Sequence, residues 1–567
     1  MKRALSLLLL AVAAAPLAAV TRAPVDAPHG MVASGTPIAS RVGVEILRRG
    51  GNAVDAAVAV GFALAVTWPA AGNLGGGGFM LLRTADGQAV AIDYRERAPL
   101  AATRDMYVDA QGKVIPKLST QGYKAVAVPG TVAGLALAHK RFGKLPWKDV
   151  VAPAQKLAAE GFEINSALAG SLARKQSIEK MEPFAESRRI FLRDGKLYEA
   201  GERLVQPELA AVLARIARNP RDFYTGQTAR AIADDMKQHR GLITLEDLRA
   251  YEPTIRTPLR TTYRGHDVIT MPPPSSGGIA LIEMLHMLEP YDLRAMGWHS
   301  SQSVHLLLEV MRRAFADRAR FLGDPDLVKV PVAALTSAAY AESRRKTIDL
   351  QRATPSETNG AGDPVAYESP QTTHFSVIDA QGNVVSNTYT LDDWFGSGVT
   401  PAGLGFLLND EMDDFTARPG VPNDYQLIQG ESNAIVPRKR PLSSMTPTIV
   451  LKDGKVVLAT GAAGGPTIIT TVLHVLLNVV DYGMNIAEAV NAPRFHHQWL
   501  PDAIYWEAFD LQADTRAALE RMGHKFREQP GVPEMEAIGD AHAVAVDARA
   551  RRLGASDPRR GGEAAGQ

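Results

Sequence analysis

The chain has 567 residues, 46% of them hydrophobic and 22% charged, with a formal net charge of +1. Values this close to average exclude a disordered tail, a coiled coil, a collagen and a disulfide-stapled miniprotein, and they give no global field for nucleic acid or anionic lipid. The sequence has no cysteine, so disulfides, a thiol nucleophile and thiolate metal sites are excluded.

Lys2 and Arg3 precede an apolar run from Ala4 to Ala15, followed by Leu17-Ala18-Ala19. A positive start, a short apolar core and small residues at a processing site make 1–23 a signal peptide, cut near Ala19 or Ala23. The run is too short to span a bilayer, which needs about 20 residues. With no later apolar stretch of that length, the expectation is a periplasmic or secreted protein with no membrane anchor.

Residues 40–67 read as helix, glycine break at Gly50-Gly51, then a helix capped by Asn52 and ending at Trp68-Pro69. The second helix is apolar on nearly every side and is expected to be buried. Gly75 to Gly78 follow, within Asn73 to Met80. Four successive glycines imply close backbone approach or positive φ. A phosphate-binding loop is not supported, because no Lys-Ser/Thr follows. Strand-like segments come next, around Leu81-Leu82 and Val90 to Tyr94. From about 120 to 350 the pattern is mostly helical, with amphipathic stretches at Pro207 to Arg218 and Ser303 to Arg320. Residues 352–371 contain no Leu, Ile, Phe or Met and read as a flexible linker.

That linker runs into a strong strand. Thr372 to Asp379 alternates, with Thr373, Phe375 and Val377 on one face and Thr372, His374, Ser376 and Ile378 on the other. A turn at Ala380 to Asn383 leads into a second strand, Val384 to Leu391. A hairpin with that four-residue loop sets Asp379 opposite Val384 and Thr372 opposite Leu391, one residue from Thr390 and from Asp392. A hydroxyl needs a base to become a good nucleophile. At a chain's first residue the base can be its own α-amine, with a pKa of about 7.7–8.0. Cleavage before Thr372 would create that amine.

Other segments narrow the reading. Arg95 sits in Asp93-Tyr94-Arg95-Glu96-Arg97-Ala98-Pro99, and Glu411, Asp413 and Asp414 follow Leu407-Leu408-Asn409. Pro441 to Pro447 carries two serines in a turn. Thr460 to Pro466 offers glycine amides before a helix-like run. Together these segments resemble the γ-glutamyltranspeptidase family of N-terminal nucleophile hydrolases, over nearly the whole chain from Gly30 to Arg559.

The resemblance implies an α+β fold, a four-layer αββα sandwich built from two subunits of one self-cleaved precursor. The cut falls between Gln371 and Thr372, giving a large subunit, 24–371, and a small catalytic subunit, 372–567. Thr372 is the implied nucleophile and Thr390 its hydrogen-bond partner, with Gly464 and Gly465 as the oxyanion hole. Arg95, Ser443 and Ser444 would hold a substrate α-carboxylate, and Glu411 and Asp414 its α-ammonium. Tyr425 matches the tyrosine of a lid. The implied substrates are glutathione or other γ-glutamyl compounds, with water, an amino acid or a dipeptide as acceptor. No cofactor or metal is implied. One departure stands out: Asp392 occupies a position where many members carry Asn, which adds a third carboxylate beside the ammonium and alters the balance of hydrolysis and transfer.

Two rivals share much of this pattern. One is a cephalosporin- or glutaryl-type acylase, whose substrate side chain has no α-amine. The other is a non-catalytic homologue that binds γ-glutamyl peptides. His496-His497 does not read as a metal site, since adjacent strand residues point to opposite faces. No Gly-x-Ser-x-Gly elbow is present, and Arg438-Lys439-Arg440 lacks the aromatic interleaving of a nucleic-acid surface.

Overall fold

A computed structural model describes residues 23–360, 371–418, 430–508, 510–528 and 537–567. Residues 1–22 of the expected signal peptide, 361–370 of the expected linker, and Tyr425 lie outside the described residues.

Asn52 starts the long helix as expected. Its side chain accepts from the amides of Val54 and Asp55, and the Asp55 carboxylate accepts from the Asn52 amide. This reciprocal cap satisfies donors that the first helical turn leaves open. The helix Ala53–Thr67 is buried throughout. It packs with Phe375 and Val377, from one face of the strand Gln371–Ile378, in a single apolar core. A second core holds the helices Gly277–Leu288, Ser301–Phe321 and Thr467–Val480 against another sheet.

Two seven-stranded sheets thus lie between helical layers, giving the αββα sandwich. One runs Glu563–Gly566, Met31–Ser34, Gln371–Ile378, Val384–Asp392, Gly77–Arg83, Ala89–Tyr94, Thr254–Arg256. The other runs Val25–Ala27, Arg552–Ser556, Asp540–Val546, Lys455–Ala463, Thr448–Lys452, His266–Thr270, Leu259–Tyr263. Polar side chains join the sheets near the hairpin. Ser376 Oγ donates to the His542 carbonyl at 3.1 Å and Ser386 Oγ to that of Thr460 at 2.9 Å. No described helix is long and apolar enough to cross a membrane.

Three expectations change. The mostly helical region contains the strands between Thr254 and Thr270, which supply an edge to each sheet. Their half-exposed, charged edge residues hide the strand pattern. The stretch expected to be amphipathic, Ser303 to Arg320, is buried from Ser303 to Ala319. Its charges are paired inside: Arg313 with Glu309 at 2.7 Å, and Asp317 with Arg344 at 2.7 Å.

The expected linker is docked over its first residues. The Ala353 amide donates to the Met522 carbonyl at 2.7 Å, and Thr354 Oγ1 donates to Glu309. The Ser356 amide donates to Asp502 at 3.0 Å, while Trp499 Nε1 donates to the Ser356 carbonyl at 2.9 Å. Backbone hydrogen bonding, not apolar burial, holds this segment, which is why its composition reads as free.

Candidate active site

The hairpin pairs Thr372 directly with Thr390, and Ile378 with Val384, so the register differs by one residue from the expected one. Asp379 causes the difference. Its Oδ1 accepts from the amides of Gln381 and Asn383, both at 3.0 Å, which draws Asp379 out of the strand and into the loop. A bulge then falls between Gln371 and Thr372, the bond at which cleavage is expected. Bulges re-aim side chains at strand ends.

Thr372 and Thr390 are both buried. Thr390 Oγ1 accepts from the Asp392 amide at 2.8 Å, and its carbonyl accepts from Asn73 Nδ2 at 2.7 Å. Asn73 Oδ1 in turn accepts from the Gly76 amide and from Thr131 Oγ1. A Cβ on Gly76 would sit 1.9 Å from the Thr390 carbonyl oxygen. The glycine run therefore serves close approach: none of Gly75 to Gly78 has a positive φ.

Arg95, placed just beyond the strand Ala89–Tyr94, ion-pairs with both Glu411 and Asp414. Its Nε and Nη2 also donate to the Pro441 and Leu442 carbonyls, at 3.3 and 3.0 Å. The groups expected to grip opposite ends of a substrate are thus bound to one another. Carboxylate oxygens of Asp392, Glu411 and Asp414 lie within 4.8 Å of each other. Asp392 has φ +79°, and its Oδ2 is buried without a hydrogen-bond partner among the described residues. Burial pushes the Asp392 carboxyl well above the usual range, and the Asp414 and Glu411 charges add to the rise. Glu411 is raised too, by burial, with Arg95 opposing. Glu96, whose Oε2 lies 3.7 Å from Arg95, is pushed up to about 7 by burial.

Ser443 and Ser444 stand in the turn that Arg95 touches. The Ser443 amide donates to the Pro274 carbonyl at 2.9 Å, and its carbonyl accepts from the Ser276 amide at 2.6 Å. Ser444 Oγ accepts from Arg318 Nη2 at 3.3 Å. Gly464 and Gly465 have φ of +127° and +57° and lead into the buried helix Thr467–Val480. Their carbonyls accept from the amides of Thr467 and Ile468, and among the described residues their own N–H groups donate to no backbone carbonyl. Two such donors at a helix start make a site for a developing anion. His374 packs on Gly461, whose Cβ would lie 2.5 Å from the imidazole, so the two strands carrying these residues face each other across the sheets.

Sequence reading missed Glu96, Asn73, Ser276 and Arg318. Glu96 adjoins Arg95 and Ser276 lies in a Pro/Gly loop, yet no spacing marks either. Arg318 sits on a helix whose charges read as solvent-facing.

A strand-opening threonine inside an αββα sandwich defines the N-terminal nucleophile hydrolase class. The family model described as Gamma-glutamyltranspeptidase matches residues 39–567. The glutathione hydrolase proenzyme of Escherichia coli (strain K12) is 51% identical over 537 residues, covering 94% of this chain and 91% of that protein. The crystal structure of cephalosporin acylase from Bacillus halodurans superposes with a TM-score of 0.84 at 27% identity, over 99% of both chains. That of Helicobacter pylori γ-glutamyltranspeptidase gives 0.56 at 45% identity, over 57% of this chain and 93% of that one. The chain belongs to the γ-glutamyltranspeptidase family.

Proposed function

We propose that this chain is a self-processing γ-glutamyltransferase and glutathione hydrolase. Cleavage between Gln371 and Thr372 yields the two subunits and frees the Thr372 α-amine. That amine takes the proton from Thr372 Oγ, which attacks the γ-carbonyl of glutathione or a similar donor. Thr390 holds the nucleophile, and the Gly464 and Gly465 amides receive the oxyanion. Such donors lower the barrier by about 3–4 kcal/mol. The leaving amine departs with the transferred proton. Water then releases glutamate, or an amino acid or dipeptide amine takes the γ-glutamyl group.

The clamp acts by exchange. Arg95 leaves its two acids for the donor's α-carboxylate, beside Ser443 and Ser444, while the α-ammonium replaces Arg95 at Glu411 and Asp414. A zwitterion satisfies both halves at once, whereas a ligand without an amine strands buried carboxylates. This observation carries the reading and disfavours the acylase, which shares the fold. Tyr425 completes the proposal as part of a lid over the pocket. The Lys2-Arg3 start and the apolar run behind it support export.

The test is the intact mass of the purified protein beside a Thr372→Ala control, followed by turnover. We expect two chains from the wild type, the smaller beginning at Thr372, one chain from the control, and cleavage of a γ-glutamyl anilide. A single uncut wild-type chain, or turnover of a glutaryl anilide alone, overturns the proposal.

A further inference from the structure

Asp392 differs from the other acids of the clamp in one respect. Glu411 and Asp414 each pair with the Arg95 guanidinium, and among the described residues no ion pair reaches Asp392. The remaining charged neighbours make its position worse. Glu411, Asp413 and Asp414 share one short turn, and Asp410 precedes them. Lys180 is held by Asp393 at 2.6 Å and Asp410 at 2.8 Å. Glu96 adds a further buried carboxyl behind Arg95, with neither oxygen hydrogen-bonded among the described residues. A buried carboxylate with like charges around it and no counter-ion keeps its proton.

We propose that Asp392 is a proton-storing specificity residue: protonated in the free enzyme, it releases that proton to solvent when a donor α-ammonium enters between Asp392, Glu411 and Asp414. This inference rests on the γ-glutamyl reading above. Arg95 touches two of the three acids, whereas an ammonium among their clustered oxygens touches all three. The incoming cation therefore supplies Asp392 with the partner it lacks. The ammonium keeps its own protons, so one O–H bond of Asp392 is exchanged for a proton on the buffer. As a neutral acid Asp392 also donates a hydrogen bond, as an Asn there would. As an anion it rewards only cationic donors.

Linkage fixes the sign: a binding step that releases a proton strengthens with rising pH, about tenfold for each unit below the carboxyl's free-state pKa. The experiment is titration calorimetry of the processed enzyme with L-glutamate in phosphate and in Tris, whose ionisation enthalpies differ. The dependence of the observed heat on buffer gives the proton count. Wild type is expected to release one proton more than Asp392→Asn. Equal counts overturn the proposal and move the stored proton to Glu96 or Glu411.

If the variant does not fold or process, the wild type decides alone. The ratio kcat/KM for a γ-glutamyl anilide reports the free enzyme and kcat the bound one. In acid, kcat/KM is expected to rise about tenfold more per pH unit than kcat. Parallel limbs overturn the stored proton while leaving the γ-glutamyl reading intact. A wild type with neither L-glutamate binding nor anilide turnover overturns both.

Discussion

Thr372 and Thr390 are direct ladder partners, and the register shifts between Gln371 and Thr372, with Leu391 of the partner strand left over. The nucleophile proposed here is therefore fixed from the side by a neighbouring strand, while the bond proposed to break lies where the register shifts. Replacing Thr390 by Ala removes a hydrogen-bonding hydroxyl worth about 1–3 kcal/mol. Self-processing and turnover should each slow by about tenfold to a hundredfold, and Thr390→Ser should recover most of the loss. Timed mass spectrometry of the precursor measures the first effect. A Thr390→Ala chain that processes at the wild-type rate would contradict it.

Gly76→Ala should block the site from below, because the added methyl would meet the Thr390 carbonyl at 1.9 Å and Asn73 Oδ1 at 2.8 Å. Both contacts belong to fixed backbone or to a tethered amide, so the hairpin must shift. The expected product is an uncut or insoluble chain. Gly170→Ala is the control: it lies in the helix Ser166–Leu172 with nothing within 4 Å of its Cβ. There the methyl should stabilise the protein by about 0.5–1 kcal/mol, visible as a small rise in Tm.

Arg95→Met leaves Glu411 and Asp414 buried without their guanidinium. Breaking a buried pair from one side costs about 3–5 kcal/mol, so the melting temperature should fall well beyond that of a surface Arg→Met change. Arg95→Lys keeps a charge but loses the planar fork. It should raise KM for a γ-glutamyl anilide about tenfold to a hundredfold, the value of a charge-assisted bond. An unchanged KM would remove Arg95 from the clamp.

Four buried histidines should each cost stability in mild acid, against the raised carboxyls of Asp392, Glu411 and Glu96, which gain it there. Burial lowers His474, His496 and His524 to about 3 and His497 to about 4. An unfolded histidine titrates at about 6.5, so between these values the unfolded chain binds more protons. The histidine contribution is full above about pH 6.5 and falls as pH drops toward 4, by about 1.4 kcal/mol per unit for each ring. Melting curves of the wild type and of His474→Gln in a buffer series across that window isolate the slope of one ring. Identical pH slopes in the two proteins would mean that this ring ionises in place.

Local rules carried much of the sequence reading. The Asn52 cap, the all-apolar helix behind it and the alternation after Thr372 each follow from neighbours in the chain. The hairpin register did not, because one side chain, Asp379, bonds the loop amides and adds itself to the turn. The strap at 353–356 escaped notice because its partners, Glu309 and Asp502, are remote in sequence. Within the site, the residue types at Arg95, Glu411, Asp414 and Ser444 were legible. Their state was not: that Arg95 occupies its own acids, and that Arg318 stands behind Ser444, depends on packing between layers.

The strand Met31–Ser34 lies between Glu563–Gly566 and Gln371–Ile378. With the proposed cut before Thr372, large-subunit backbone is threaded between two strands of the small subunit. A cut before Thr372 ends covalent continuity without opening the ladder on either side of that strand. The assembly is easy to reach from one chain, where the connection supplies a high effective concentration. It is hard to reach from two. Denatured processed protein should regain little activity on dilution, while the uncut Thr372→Ala chain should regain its native melting transition. The mature molecule then persists by the slowness of its unfolding, and its lifetime is a rate, not an equilibrium.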